Sequence, residues 1–279
     1  MKKRVLAMTM ATLMTVAMVG CSSSKPAPTA AETTKAADTA TTAAAETTTA
    51  AATTTAGKNY KIATDTTFAP FEFENESGEM VGVDLDLLAA IAADQGFTYE
   101  LQVVGFSAAV TALEAGECDA VIAGMSITDE RSQKYDFSEP YYSSGVGMAV
   151  LADSDITAYD ALKGKQVAAK IGTEGCKFAE SIAAQYGFTV TQFEDSSSMY
   201  QDVLAGNSSA CFEDYPVMGY EISRGLGLKL PTEMESGSPY GFATLKGANP
   251  ELVKMFNDGL ANLKASGAYD KILNTYIAK

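Results

Sequence analysis

The residues Ala123-Gly124-Met125-Ser126-Ile127-Thr128-Asp129-Glu130-Arg131 give the strongest indication of how this chain folds and what it holds. They follow Asp119-Ala120-Val121-Ile122, an apolar run that is typical of a buried strand. A glycine, a hydroxyl and an arginine therefore meet just beyond a strand. An arginine fork can bind a carboxylate through two parallel hydrogen bonds, and nearby backbone N–H groups can add more. The stretch predicts a carboxylate-binding loop; taken alone, a surface arginine after a turn is the simpler alternative.

Strand-like and helix-like segments alternate on both sides of this stretch. Strands are predicted at residues 60–63 and 97–104, and a helix at residues 84–95 separates them. Asp84 or Asp86 is placed to cap that helix. A repeated strand–helix order favours mostly parallel α/β sheets, with binding loops at the carboxyl ends of the strands.

The same order continues in the second half of the chain. Strands are predicted near residues 166–169, 189–190 and 209–212, and a helix is predicted to begin near Thr173. Asn249 is expected to cap a further helix. Several polar or small residues directly follow strand-like runs, so we expect them at the ligand-binding edges of the sheets: Asp65, Gly124, Ser126 and Thr173.

The N-terminus has the layout of a secretory signal. Three basic residues at positions 2–4 precede an apolar stretch at 5–19 and then Gly20-Cys21. The stretch is too short and wrongly flanked for a membrane-spanning helix. Met18-Val19-Gly20-Cys21 resembles the bacterial lipobox, so residues 1–20 are predicted to be a lipoprotein signal peptide and Cys21 the lipidated residue. Ordinary secretion with an incidental cysteine is the alternative.

Residues 21–57 are rich in alanine and threonine and contain no aromatic residue. Such a segment cannot bury enough apolar surface to offset the entropy of ordering it. It is predicted to be a disordered tether. We therefore expect the protein at the cell membrane, anchored on the extracytoplasmic face and touching the membrane only through its N-terminal lipid.

Composition excludes several classes of function. The net charge is −15 and becomes −18 once the three basic residues of the signal are removed, which argues against nucleic-acid binding. The chain has no histidine, so Ser-His-Asp and Cys-His catalysis and histidine metal sites are excluded. Cys118, Cys176 and Cys211 show no zinc spacing and are expected in the core, with a disulfide left open. We expect no metal, no cofactor and no enzyme activity.

Four motifs occur together in one order and spacing: residues 62–73 (IATDTTFAPFEF), 82–87 (GVDLDL), 123–131 (AGMSITDER) and 136–141 (DFSEPY). In the order and spacing of these motifs the chain resembles the polar amino-acid-binding proteins of bacterial ABC importers. These are the extracellular solute-binding proteins of family 3, which include glutamine-binding proteins. The resemblance implies the two-lobed, type II periplasmic-binding-protein α/β fold. It places the first lobe at 58–141 and 241–279, the second at 146–235, and the hinges at 142–145 and 236–240.

The resemblance also implies roles for single residues around an amino-acid ligand. Arg131 is expected to bind the ligand α-carboxylate, helped by the N–H groups of Ser126 and Thr173. Asp214 is expected to bind the α-ammonium, together with the Gly124 carbonyl and the Ser126 hydroxyl; a helix cap after a strand is the alternative role for Asp214.

The remaining expected contacts concern the ligand's side chain. Phe68 and Phe106 are expected to enclose its aliphatic stem, and Asp65, Lys170 and Glu213 to face its end. A carboxamide carries a donor and an acceptor, which suits Asp65 and Lys170 together, so glutamine is favoured. If Glu213 neutralises Lys170, a basic amino acid such as arginine, lysine or histidine becomes the alternative.

The function expected from the sequence is capture of a free polar L-amino acid by cleft closure. The protein is expected to be a monomer that delivers this ligand to the transmembrane subunits of an ABC permease. An alternative of a different class is an enzyme on the same fold that resembles cyclohexadienyl dehydratase, because several carboxylates in one cleft could perform acid–base chemistry.

Overall fold

The structure is a computed structural model that describes residues 58–235 and 237–277. The predicted signal peptide, Cys21, the predicted tether, Ser236 and the last two residues lie outside these ranges. None of the helices in the described ranges is both long enough and apolar enough to cross a membrane.

The structure consists of short strands and helices that alternate along the chain. In chain order the strands are β1 (Asn59–Thr64), β2 (Thr67–Phe68), β3 (Glu72–Glu74), β4 (Met80–Val81), β5 (Thr98–Val103), β6 (Ala120–Val121), β7 (Tyr135–Phe137), β8 (Val146–Leu151), β9 (Gln166–Lys170), β10 (Thr189–Phe193), β11 (Ala210–Asp214), β12 (Leu228–Lys229) and β13 (Ala243–Leu245). The helices are α1 (Val83–Gln95), α2 (Phe106–Glu114), α3 (Glu174–Tyr186), α4 (Ser196–Leu204), α5 (Tyr215–Ser223), α6 (Pro250–Ser266) and α7 (Ala268–Tyr276).

Two five-stranded sheets share one topology. The first has the order β5-β1-β6-β13-β7 and the second has the order β10-β9-β11-β8-β12. In each sheet the first three strands are parallel to one another. The fourth strand is antiparallel to the third, and the fifth is antiparallel to the fourth. We call each sheet with the helices packed on it a lobe. The first lobe contains α1, α2, α6 and α7, and the second contains α3, α4 and α5.

Helices cover both faces of each sheet. Successive side chains of a strand point to opposite faces, so they pack into different cores. In β1, Ile62 belongs to a core with α1 and α6, whereas Ala63 belongs to a second core with α2. In the second lobe, Phe212 packs into the core beneath α3 and its neighbour Cys211 packs beneath α4. The near-continuous burial of β9 and β11 follows from this double cover.

The chain passes from the first sheet to the second between β7 and β8, and it returns between β12 and β13. The two passages run side by side, since Tyr142 and Tyr240 form an antiparallel bridge. Gly145 and Gly237 approach so closely that a side chain at Gly237 would collide with the backbone of Gly145. Small residues are required here by packing.

Most strands and helices predicted from the sequence are present, with differences at the caps. Asp84 and Asp86 do not cap α1, whose N-cap is Gly82 and has no side-chain cap. Asp84 is buried and accepts a hydrogen bond from Gly124 N at 2.8 Å. Asn249 stands at the N-cap of α6 but bonds to Asp119 instead. In both cases a tertiary partner takes the side chain that local capping would have used.

Cys118, Cys176 and Cys211 are all buried free thiols. Burial raises the pKa of each thiol above its ordinary value. They therefore stay protonated and act as small core side chains.

Candidate ligand-binding cleft

A small cavity lies where the carboxyl ends of the strands of both lobes meet. Its volume is about 10 Å³, room for about one water molecule. An adjoining groove of about 350 Å³ opens to the surface beside Arg131 and Glu174. Ala123 and Glu174 line the cavity together with nine of the ten predicted ligand-binding residues. These nine are Asp65, Phe68, Phe106, Gly124, Ser126, Arg131, Lys170, Thr173 and Asp214.

Arg131 reaches across the cleft at one end of the cavity. It begins a short 3-10 turn in the first lobe, and its guanidinium donates to the carbonyl of Ser126 at 3.0 Å and to that of Gly172, in the second lobe, at 2.9 Å. Glu174 lies 3.8 Å away. Burial lowers the pKa of Arg131, while the charges of Glu174 and Asp214 oppose that shift. The guanidinium stays charged because its ordinary pKa is far above neutrality.

Asp214 ends β11 and is held by both passages between the lobes. Ser144 donates to its Oδ2 at 3.1 Å, and the Tyr240 hydroxyl donates to the same oxygen. Asp214 stands at the N-cap of α5 but makes no side-chain cap bond, so the alternative capping role is not realised. Burial raises the pKa of Asp214 to about 6, against the lowering effect of its hydrogen bonds and of Arg131.

Asp65 and Lys170 form a buried ion pair across the other end of the cavity. Asp65 Oδ1 accepts hydrogen bonds from the backbone N–H of Thr66 at 2.7 Å and of Phe106 at 3.2 Å. These two bonds fix the carboxylate so that Oδ2 faces the Lys170 ammonium. Both side chains are almost fully excluded from solvent.

Two phenylalanines form apolar walls next to these charges. The Lys170 ammonium lies 5.2 Å from the centre of the Phe68 ring, and the Arg131 guanidinium lies 5.4 Å from that of Phe106. Gly124 has φ of 52°, and a side chain there would collide with the Phe68 ring. The glycine of the 123–131 motif is therefore required both by its left-handed backbone and by its contact with Phe68.

Thr173 is the N-cap of α3, which begins where the sequence predicted a helix. Its hydroxyl accepts from Cys176 N at 3.2 Å and donates to the Lys170 carbonyl at 2.7 Å. Its own N–H makes only a long, 3.4 Å contact with the same carbonyl. The N-terminus of α3 thus faces the cavity, where unpaired helical N–H groups favour an anion.

Glu213 is the one predicted site residue that does not line the cavity. Alternation along β11 explains the difference: Asp214 faces the cavity beside α3, so the preceding residue points to the side of α4. There Glu213 accepts from the Ser196 hydroxyl at 2.5 Å and from the Tyr200 hydroxyl. Burial raises its pKa to about 7, although Lys170 and both hydroxyls lower it.

Four residues of the site were not predicted from the sequence. Glu174 lines the cavity next to Arg131, and Ser196 links Lys170 to Glu213. Ser144 and Tyr240 hold Asp214. Only Glu174 carries a usable signal, since it directly follows the predicted helix start at Thr173; the others are brought in by chain segments distant in sequence.

A two-lobed α/β structure with an arginine and an acid facing one enclosed interlobe cavity defines a type II periplasmic-binding-protein fold. The chain belongs to the bacterial extracellular solute-binding proteins of family 3, whose sequence profile matches residues 60–279.

Relatives and solved structures agree with this membership. The histidine-binding periplasmic protein of Escherichia coli K12 is 30% identical over 233 residues, which cover 78% of this chain and 87% of the relative. Substrate-binding domain 2 of GlnP from Lactococcus lactis, solved in an open conformation, is 44% identical with a TM-score of 0.57, covering 79% of this chain and 96% of that one. An ancestral arginine-binding protein bound to arginine is 36% identical with a TM-score of 0.74, covering 79% and 98%.

Proposed function

We propose that this protein is the substrate-binding lipoprotein of an amino-acid ABC importer and that its ligand is a neutral polar L-amino acid, glutamine first. The observation that carries the proposal is the cavity itself: Arg131 and Asp214 face one end, and the Asp65–Lys170 pair closes the other. The first pair suits the two charged groups of any α-amino acid. The second pair selects among their side chains.

The α-carboxylate is bound by Arg131, aided by the N-terminus of α3. Asp214 receives the α-ammonium. Within the described residues, both hydrogen bonds to its carboxylate reach Oδ2, which leaves Oδ1 for the ligand. A buried charge must be paired, and each end of a zwitterion meets its counter-charge here.

The charges around the cavity favour a ligand without net charge. The two charges at the end that would face the ligand's side chain are of opposite sign and already paired, Lys170 with Asp65. A basic side chain would meet the Lys170 ammonium, and an acidic one would meet the Asp65 carboxylate. A carboxamide placed between them donates to Asp65 and accepts from Lys170.

The ligand enters by separation of the two lobes, because a cavity with room for one water molecule cannot admit an amino acid. The hinges are residues 142–145 and 236–240, joining lobes at 58–141 with 241–279 and at 146–235. The comparisons support this motion. The relative solved in an open conformation has the higher identity but the lower TM-score, which is the result expected when similar lobes meet at a different angle.

The remaining parts of the proposal concern the setting of the protein. Cys21 carries the lipid that holds the protein on the extracytoplasmic face, and the closed monomer delivers its ligand to the permease. The family of extracellular solute-binding proteins supports this setting. Mass spectrometry of the mature N-terminus, with Cys21→Ala as control, tests the lipid.

A thermal-shift screen with the proteinogenic amino acids tests the ligand, followed by calorimetry of the hits. Ligand binding to the folded state alone raises the melting temperature in proportion to the logarithm of ligand concentration over Kd. We expect glutamine to give the largest shift. A larger shift with arginine, lysine or histidine would establish a basic ligand instead, and no shift with any amino acid would refute the function.

The expectation of binding without chemistry is tested separately. The protein is incubated with prephenate and with arogenate, and aromatic product is followed by absorbance. We expect no product above the uncatalysed rate. Product formation that Asp65→Asn abolishes would establish a dehydratase.

A further inference from the structure

Behind the cleft, Lys170 is joined to a buried acid that does not reach the cavity. The Ser196 hydroxyl lies 3.3 Å from the Lys170 ammonium and donates to Glu213 Oε1 at 2.5 Å. The Tyr200 hydroxyl donates to Glu213 Oε2. We call these four residues the lysine relay: Lys170, Ser196, Glu213 and Tyr200. Lys170 and Glu213 are fully buried, and Ser196 and Tyr200 are nearly so.

The relay lies on one face of the second sheet. Ala168 of β9 and Cys211 of β11 both pack beneath α4. Because side chains alternate along a strand, Lys170 and Glu213 lie on that same face, two residues further along each strand. The N-terminus of α4 supplies Ser196 and its next turn supplies Tyr200.

Ligand binding changes what Lys170 requires. In this structure its counter-charge is Asp65, in direct contact. A carboxamide inserted between the two, as the proposed function requires, replaces that carboxylate with a neutral oxygen next to Lys170. A buried ammonium without a nearby counter-charge is strongly disfavoured. The remaining acid connected to Lys170 by hydrogen bonds, among the described residues, is Glu213 through Ser196.

We propose that Glu213, acting through Ser196, is the counter-charge that lets Lys170 accept a neutral ligand and that the relay thereby sets selectivity for glutamine over glutamate. Glu213 is a positioning and charge-balancing residue, not a ligand contact. This inference rests on the proposed function and specifies how the same site chooses the charge of its ligand.

The electrostatic surroundings of Glu213 agree with this role. The charges that act on it are the Lys170 ammonium, which lowers its pKa, and the Asp214 carboxylate, which raises it. Ser196 and Tyr200 both stabilise the ionised form through hydrogen bonds. When Asp65 is separated from Lys170 by a ligand, Lys170 acts more strongly on Glu213 and favours its ionised form further.

The test is calorimetry with glutamine and with glutamate on wild type and Glu213→Gln. Removing the acid while keeping an amide of similar shape should weaken glutamine binding by about tenfold or more, the value of a charged hydrogen-bond partner. It should strengthen glutamate binding, because the ligand's own carboxylate then supplies the missing negative charge. The expected result is opposite changes in the two affinities.

Ser196→Ala and Tyr200→Phe are the matched controls. Both keep the Glu213 charge; Ser196→Ala removes the two hydrogen bonds that join Lys170 to Glu213, and Tyr200→Phe removes one hydrogen bond to Glu213. Ser196→Ala should weaken glutamine without improving glutamate, because Glu213 still repels an anionic ligand. Tyr200→Phe should have the smallest effect. A gain for glutamate in Ser196→Ala equal to that in Glu213→Gln would contradict the charge argument.

The measurements distinguish a failure of the proposed function from a failure of this inference. If wild type binds no amino acid, the proposed function fails. If wild type binds glutamine and Glu213→Gln weakens or preserves both ligands equally, the relay is only structural and this inference is overturned. Circular dichroism of each variant confirms the fold, so a loss of both affinities in a folded variant also counts against the inference.

Discussion

The two lobes share a topology, and each buries an acid just behind the cleft, but the two acids have different neighbours. In the first lobe, Glu72 lies beside Asp84, and burial together with the carboxylates of Asp84 and Asp65 raises the pKa of Glu72 well above its ordinary value, although Lys170 opposes this shift. In the second lobe, Glu213 lies beside Lys170, which opposes the effect of burial. Glu213 is joined to Lys170 by hydrogen bonds through Ser196 and can respond to the ligand, whereas Glu72 has no hydrogen-bonded link to that cation among the described residues.

The Glu72–Asp84 site supports the cleft indirectly. Asp84 Oδ2 accepts from Gly124 N at 2.8 Å and from the Tyr141 hydroxyl at 2.7 Å, so the first lobe fixes the glycine of its binding loop from behind. Burial raises the pKa of Asp84 to about 6. Buried carboxyl side chains therefore make the binding loop rigid in the first lobe and balance the charge of Lys170 in the second.

The largest expected effect comes from removing one charged contact in either lobe. Arg131→Ala in the first lobe and Asp214→Ala in the second should each cost about 3 kcal/mol or more, roughly a hundredfold in Kd, because each leaves a buried ligand charge unpaired. Calorimetry with glutamine measures both. Near-normal affinity in either folded variant would remove that residue from the site.

A second effect concerns pH and belongs to the second lobe. The ligand ammonium requires ionised Asp214, so affinity falls as pH drops through the pKa of about 6. At pH 5 roughly a tenth of such a carboxyl is ionised, so Kd should rise about tenfold between pH 7 and pH 5. Glu213 also titrates in this range, so Glu213→Gln is the control. The decline should persist in that variant, and a flat profile would contradict the role of Asp214.

An effect no larger than that of pH should come from Tyr240→Phe, which removes one hydrogen bond to Asp214 and leaves the ring in its aromatic contacts with Phe71 and Tyr142. Asp214 keeps Ser144, so we expect glutamine affinity to fall by only about tenfold, as for one hydrogen bond to a charged group. Ser144→Ala is the partner measurement. If both variants bind like wild type, the passages between the lobes do not position Asp214.

Glu72→Gln should affect ligand binding least and stability most clearly. The folded state holds the Glu72 proton more tightly than the unfolded state does, so the wild-type free energy of unfolding falls as pH rises above about 4.5, the ordinary glutamate value. A glutamine carries no such proton. Urea unfolding should therefore show the variant gaining stability relative to wild type between pH 5 and pH 7.5.

If the two lobes differ in this way, Glu72→Gln must differ from Glu213→Gln in its effect on ligand affinity. Its affinities for glutamine and glutamate should stay within about twofold of wild type, since Glu72 itself does not line the cavity. Opposite shifts of the two affinities in Glu72→Gln would show that the first lobe also tunes ligand charge.

Strand ends identified part of the cleft wall from local sequence, and the family resemblance supplied other wall residues, such as Phe68, Phe106 and Asp214. Asp65, Gly124, Thr173 and Asp214 stand where parallel strands end, and the fold brings such ends together. Glu213 was expected, from the family resemblance, to face the end of the ligand's side chain together with Asp214 at the ammonium, yet neighbouring residues of a strand point to opposite faces. The strand period would have placed it correctly once Asp214 was fixed.

The relay and the Asp84 contact could not be predicted locally. Ser196 meets Lys170 and Glu213 only because α4 packs on β9 and β11, and nothing near Ser196 in the sequence signals that partner. Asp84 has the spacing of a helix cap, but its partner, Gly124 N, is 40 residues away. Side chains whose roles depend on long-range packing are invisible to capping and periodicity rules.

The central claim is that one protein arginine and one protein acid hold the two charged groups of an amino acid. Calorimetry of wild type with L-glutamine, with 4-aminobutanamide, which lacks the carboxylate, and with glutaramic acid, which lacks the ammonium, tests it most directly. The account predicts that both analogues bind at least about a hundredfold more weakly than glutamine. If either analogue binds within about tenfold of glutamine, the paired-charge mechanism is contradicted.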